Sequence, residues 1–93
     1  MYNNREMRHR ADDNQQEIVD ALRDIGVSVL VLSQVGFGCP DLLIGWRKNN
    51  YLLEIKTENG KLRKSQIEFF DTWKGRVFIV RSVDEAIELL DCI

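Results

Sequence analysis

Apolar positions recur along the chain in two rhythms. Ile18, Ala21, Leu22 and Ile25 fall at i, i+3, i+4 and i+7, which predicts a first helix over 12–25. Gly26 stands where a left-handed residue closes a helix, and the charges of Asp12 and Asp13 suit its N-terminus. From Val27 to Leu32 the chain is short, β-branched and nearly all apolar, the pattern of a buried strand. Gly36 and Gly38 mark a flexible connection, and Pro40 disfavours helix before it. Residues 41–46 and 51–57 read as two strands of an antiparallel hairpin. Lys48-Asn49-Asn50 is the expected tight turn between them, because Asn tolerates positive φ.

Glu58-Asn59-Gly60 breaks the second of these strands. Ile67, Phe70 and Trp73 are spaced to bury one face of a helix over 64–73, which Lys74-Gly75 ends. Within 76–81, Val77-Phe78-Ile79-Val80 is another buried strand. Ser82, followed three residues later by Glu85, is a capping box that opens a last helix with Ala86, Ile87, Leu89 and Leu90 inward. The order αβββαβα predicts an α/β fold, a mixed sheet with helices packed on it.

Length adds that residues 1–93 form one small domain with a thin core. No apolar run approaches the ~20 residues of a membrane span, and no apolar stretch follows the N-terminus as in a signal peptide. The expected address is the cytoplasm. Cys39 and Cys92 form no CxxC pair and His9 is the only histidine, which argues for reduced thiols and against zinc.

Formal net charge is -2, but it is unevenly spread. Residues 1–10 hold three Arg against one Glu, and residues 47–64 hold six bases against two acids. Residues 11–26 and 82–93 are acidic. Local basic density matters more than the sum for a polyanion partner, although such stretches are also ordinary solvated faces.

The chemistry lies in the hairpin. Strand alternation puts Leu53 and Ile55 on one face and Glu54 and Lys56 on the other. A structural ion pair would look the same. Asp41, at the start of the preceding strand, folds back toward the end of the Glu54 strand. It is either a turn-capping residue or the second acid of a site with Lys56 beside it. Two carboxylates suit Mg²⁺ or Mn²⁺, and the backbone carbonyl of Ile55 would add a third oxygen. Glu17, beside the apolar stripe of the first helix, is either solvated or flanks that site.

Gly38-Cys39-Pro40-Asp41 followed by Glu54-Ile55-Lys56 resembles the PD-(D/E)xK nuclease superfamily. Gly36 to Leu43, Leu53 to Thr57, Gly60-Lys61-Leu62, Gln66 and Val80 to Ala86 resemble its virus-type replication-repair nuclease (VRR-NUC) branch. The resemblance implies a restriction-endonuclease-like core. It implies that Asp41 and Glu54 bind metal, that Lys56 is the catalytic lysine and that Gln66 is the helical glutamine of this branch. Glu17 matches the helical glutamate of related archaeal junction resolvases. Arg63-Lys64-Ser65 stands where the family commonly has Ser-Pro, and Cys39 is read as a small packing residue.

Arg47, Lys48, Lys61, Arg63 and Lys64 are the expected phosphate contacts, and Arg5, Arg8 and Arg10, with His9, a mobile basic arm. No base-reading motif is visible, so DNA shape is the expected basis of recognition. The resemblance thus implies a metal-dependent, structure-selective endonuclease, acting as a homodimer on Holliday junctions. Leu89-Leu90-Asp91-Cys92-Ile93 is the expected two-fold interface, unless it completes the core. The alternatives are a nuclease that nicks flaps, forks or generic duplex, and a DNA-binding module without catalysis. A small domain of this type suggests a phage or prophage protein working in a bacterial host.

Overall fold

A computed structural model of the chain describes residues 11–93. Arg5, Arg8, His9 and Arg10, and with them the basic arm, lie outside the described residues. The order is α1 (Ala11–Asp24), β1 (Ser28–Val31), β2 (Leu42–Trp46), β3 (Asn49–Ile55), α2 (Lys64–Thr72), β4 (Val77–Val80) and α3 (Val83–Cys92). This is the expected αβββαβα. The four strands form one mixed sheet in sequence order, with β1, β2 and β3 antiparallel and β4 parallel to β3.

The termini of the helices follow local chemistry. At the end of α1, Gly26 N–H donates to the Arg23 carbonyl and Val27 N–H to that of Leu22. Gly26 has φ +94°. These paired bonds around a left-handed glycine are a Schellman motif. At α3, Ser82 Oγ accepts from Glu85 N–H at 3.1 Å, as a capping box requires. The return bond moves by one residue, because Glu85 Oε1 takes the N–H of Arg81 instead.

Sheet alternation sorts the core. Val29, Leu42, Ile44, Tyr51, Leu53 and Ile55 pack under α1 (Ile18, Val19, Leu22) and α3 (Ala86, Leu90). Leu89 and Ile93 are partly buried and pack against this core, so the end of α3 helps to complete it. Burying each such large side chain stabilises the fold by roughly 1.5–3 kcal/mol. The opposite sheet face carries Leu43, Leu52 and Glu54, and α2 lies over part of it, joined there by Gln66.

Several elements differ from the sequence expectation. The hairpin turn is Arg47-Lys48, with φ +53° and +73°, and Asn49 and Asn50 begin β3. A two-residue turn with both φ positive matches strand twist better than the longer Asn turn, although neither residue favours that region. β1 is an edge strand rather than a buried one, and Leu30 on its outer face is 60% exposed. Ile25 lies past the end of α1 and is exposed. In α2 the buried residue is Gln66, while Ile67 and Trp73 are about half exposed. Trp73 stacks on Phe69, and both line a pocket with Leu43 and Leu52 of the sheet.

Candidate active site

The site is built where the hairpin ends. Leu42 pairs with Leu53, so the register brings Asp41 opposite Glu54. Asp41 sits one residue before β2, and its Oδ2 accepts the N–H of Ile55 at 2.8 Å. That bond fixes one carboxylate oxygen on β3. The recorded pairs between β2 and β3 end at Leu42 and Leu53, so Ile55 and Pro40 lie beyond that ladder. Pro40 has no N–H to offer the Ile55 carbonyl.

Glu54 is only 2% exposed, far from the solvated-face alternative. Its Oε2 accepts from Gln66 Nε2 at 3.1 Å and faces Lys56 Nζ at 3.6 Å. Lys56 Nζ donates to Gln66 Oε1 at 2.9 Å, and that same oxygen accepts the Arg63 N–H at 2.8 Å. Gln66 therefore reads both charged groups with one amide. It also caps α2 by taking up a free N–H at its start, which replaces the missing Ser-Pro cap.

Glu54 Oε1 is buried and receives no hydrogen bond. Burial, and after it the negative charge of Asp41, pushes Glu54 up to about 7, against the pull of Lys56. Two acidic groups share one corner of the site, and each offers acceptor oxygens. Such a pair calls for a proton or a cation between them. Cys39 lies close by, and burial, then Asp41 and Glu54, push its thiol up. A thiol pushed in that direction is less readily ionised to the reactive thiolate, which suits a packing role.

The other candidates separate into near and far. Lys61, Arg63 and Lys64 are exposed on the loop and first turn that lead to Gln66. Arg47 and Lys48 occupy the opposite end of the hairpin, about 20 Å away at ~3.4 Å per strand residue. Their nearness to the site in sequence does not carry over to space. Arg47 instead lies over the Trp46 ring at 5.3 Å. Glu17 lines a cavity of about 900 Å³ with Asn14, Thr57, Arg81 and Glu85. Among the described residues, no three His, Cys, Asp or Glu side chains group as a metal set, so Glu17 does not join Asp41 and Glu54 as a third.

Two residues given no role from the sequence hold this end of the sheet together. Asn14 is buried and its amide donates to the carbonyls of Lys56, at 3.1 Å, and Arg81, at 3.2 Å. Arg81 Nη1 donates to the carbonyls of Thr57 and Gly60, both at 2.7 Å, and so ties down the loop between Lys56 and Lys61. A signal existed for Asn14. It sits four residues before Ile18 and eight before Leu22, a polar residue on a stripe of buried positions.

The arrangement agrees with what comparison finds. The family profile of the VRR-NUC domain matches residues 5–84. A solved structure titled "VRR_NUC domain" superposes with a TM-score of 0.72 at 26% identity, covering 87% of this chain and 94% of that one. No curated protein matches the chain. With the profile spanning most of the sequence and the acids and lysine gathered at one hairpin end, the chain belongs to the VRR-NUC nuclease family.

Proposed function

We propose that this VRR-NUC domain is a metal-dependent, structure-selective DNA endonuclease that acts as a homodimer on Holliday junctions. The observation that carries the metal-dependent chemistry is the buried Glu54 Oε1, which has no donor and stands in the same corner as Asp41. The donor set fits a hard divalent ion, Mg²⁺ or Mn²⁺, which takes carboxylate and carbonyl oxygens. Asp41, Glu54 and the Ile55 carbonyl would hold it.

When bound, such an ion neutralises a phosphate oxygen and makes a coordinated water more acidic. The protein's own groups do the rest. Lys56 Nζ, held between Gln66 and Glu54, places a positive charge where the phosphate becomes more negative. Its partners favour this electrostatic role over that of a base. Gln66 positions both Lys56 and Glu54. Asp41→Asn, Glu54→Gln and Lys56→Ala should each abolish cleavage and leave the fold intact. Glu17, lining the cavity beside Thr57, is kept as an auxiliary acid, and Glu17→Gln should slow cleavage less than Glu54→Gln.

Junction preference rests on likeness to the resolvases. Exposed Leu30 and Val31 on the edge strand are apolar surface available for a two-fold contact. Cleavage of a labelled four-way junction against linear duplex, with light scattering of the free protein, tests both points. Preferred, paired cuts by a dimer are expected. Equal cutting of linear duplex by a monomer would replace this reading with the flap, fork or generic nicking nuclease. Tight binding without any cutting would leave the DNA-binding module.

A further inference from the structure

The loop before Asp41 holds an unusual side chain. Phe37 is 95% exposed, more than any other large apolar residue described. Its backbone has φ +58°, a region that bulky residues rarely adopt. Gly36 and Gly38 on either side have φ +80° and +75°. Cys39 N–H donates to the Gly36 carbonyl at 3.0 Å, closing a tight turn with Phe37 and Gly38 at its tip.

The turn is fixed in place. A Cβ on Gly38 would overlap the carbonyl oxygen of Ser65 and lie 2.7 Å from its carbonyl carbon. The backbone of the turn therefore rests directly on the first turn of α2. Ser65 precedes Gln66, the residue that holds Glu54 and Lys56. Phe37 is one residue from that contact, and consecutive Cα atoms are about 3.8 Å apart. An aromatic ring is thus displayed in solvent, on a strained but anchored backbone, at the rim of the active site. Arg63 and Lys64, just before Ser65, are exposed beside it.

We propose that Phe37 is a stacking post for an unpaired or unstacked base of branched DNA bound at this site. The inference rests on the nuclease reading above and adds a specificity-determining residue to it. An aromatic face flanked by cations suits a polyanion that also offers flat π-faces. Branched DNA exposes such faces at its discontinuity, and linear duplex keeps them stacked. A second copy of the chain fits less well. In a two-fold contact centred on Phe37 the same surface meets itself, bringing Arg63 and Lys64 toward their own copies.

The test is fluorescence anisotropy with labelled four-way junction, flap and linear duplex DNA in chelator, so that no strand is cut. Phe37→Ala and Phe37→Gly should weaken binding to both branched DNAs about tenfold. Linear duplex binding should change by less than about twofold, since phosphate contacts remain. Phe37→Trp should restore branched binding to within about twofold of the parent. The melting temperature of Phe37→Gly should equal or exceed the parent's, because glycine relieves the positive-φ strain. That result separates impaired stacking from impaired folding.

Parent-like binding of Phe37→Ala to branched DNA would overturn the inference. So would an equal loss on all three DNAs, or a fall from dimer to monomer by light scattering, which would assign Phe37 to a second copy. Mg²⁺-dependent nicking by the parent, run in parallel, separates the two readings. If the parent nicks DNA and Phe37→Ala binds as it does, the stacking post alone falls. If the parent neither binds nor nicks DNA, both readings fall.

Discussion

The Gln66 side chain donates to Glu54 Oε2 at 3.1 Å inside a site where Glu54 is almost closed to solvent. The same amide accepts from Lys56, so one residue sets the spacing between an acid and an amine. Removing it leaves both short of a partner. Gln66→Ala should cost about 1–3 kcal/mol of stability, as expected when buried polar groups lose a bond. It should lower cleavage by about 10–100-fold, the usual effect of removing a group that orients metal ligands. Denaturant melts and single-turnover cleavage measure the two. Loss of stability with unchanged cleavage would reduce Gln66 to a helix cap.

Glu54 gives the metal-free protein a pH signature. Its carboxyl titrates at about 7 in the fold against an ordinary 4.5. Between these values the native chain keeps a proton that the unfolded chain has released. Stability therefore falls as pH rises through that window. Melting curves in chelator from pH 4.5 to 7 should show this fall, and Glu54→Gln should flatten it. Added Mg²⁺ should restore most stability near pH 7, where it replaces the proton. Identical slopes for parent and Glu54→Gln would show that this carboxyl is not perturbed.

Asn14 is the internal tie between α1 and the ends of β3 and β4. Asn14→Ala deprives two carbonyls of donors and should destabilise by about 1–3 kcal/mol. Because one of those carbonyls belongs to Lys56, the rate of cutting at saturating DNA should also fall, while DNA affinity stays near that of the parent. A variant that loses affinity alone would place Asn14 in DNA binding rather than in support of Lys56.

The meeting of Asp41 with Glu54 is legible in the sequence. Strand alternation and a hairpin suffice to bring those two positions together, whichever residues form the turn. The turn itself is not legible, since Asn49-Asn50 has the favoured chemistry and Arg47-Lys48 takes the strained backbone. Its shift leaves the approach of Asp41 to Glu54 intact. The burial of Glu54 is hidden too, because it depends on how α2 lies across the sheet. Periodicity in α2 points to Ile67 and Trp73, yet the polar Gln66 is the residue buried there. The order of helices and strands, and the Schellman end at Gly26, follow from local signals and are recoverable.

The basic residues divide by position. Lys61, Arg63 and Lys64 lead into the site, whereas Arg47 and Lys48 sit at the far end of the hairpin. Replacing the first three with Ala should lower the salt slope of duplex binding by about 0.9 for each phosphate no longer neutralised. Replacing Arg47 and Lys48 should change it less. Titrations at several salt concentrations measure this, and a larger effect from the Arg47 and Lys48 pair would move the DNA path to the hairpin turn.

The most direct measurement is nicking of a labelled four-way junction by the purified chain in Mg²⁺, with parallel reactions in chelator and with Glu54→Gln. Cutting by the parent is expected in Mg²⁺, with none in chelator and none by Glu54→Gln at an unchanged melting cooperativity. Cutting that persists in chelator, or in a folded Glu54→Gln protein, would contradict the claim that Asp41 and Glu54 hold the ion that makes hydrolysis possible.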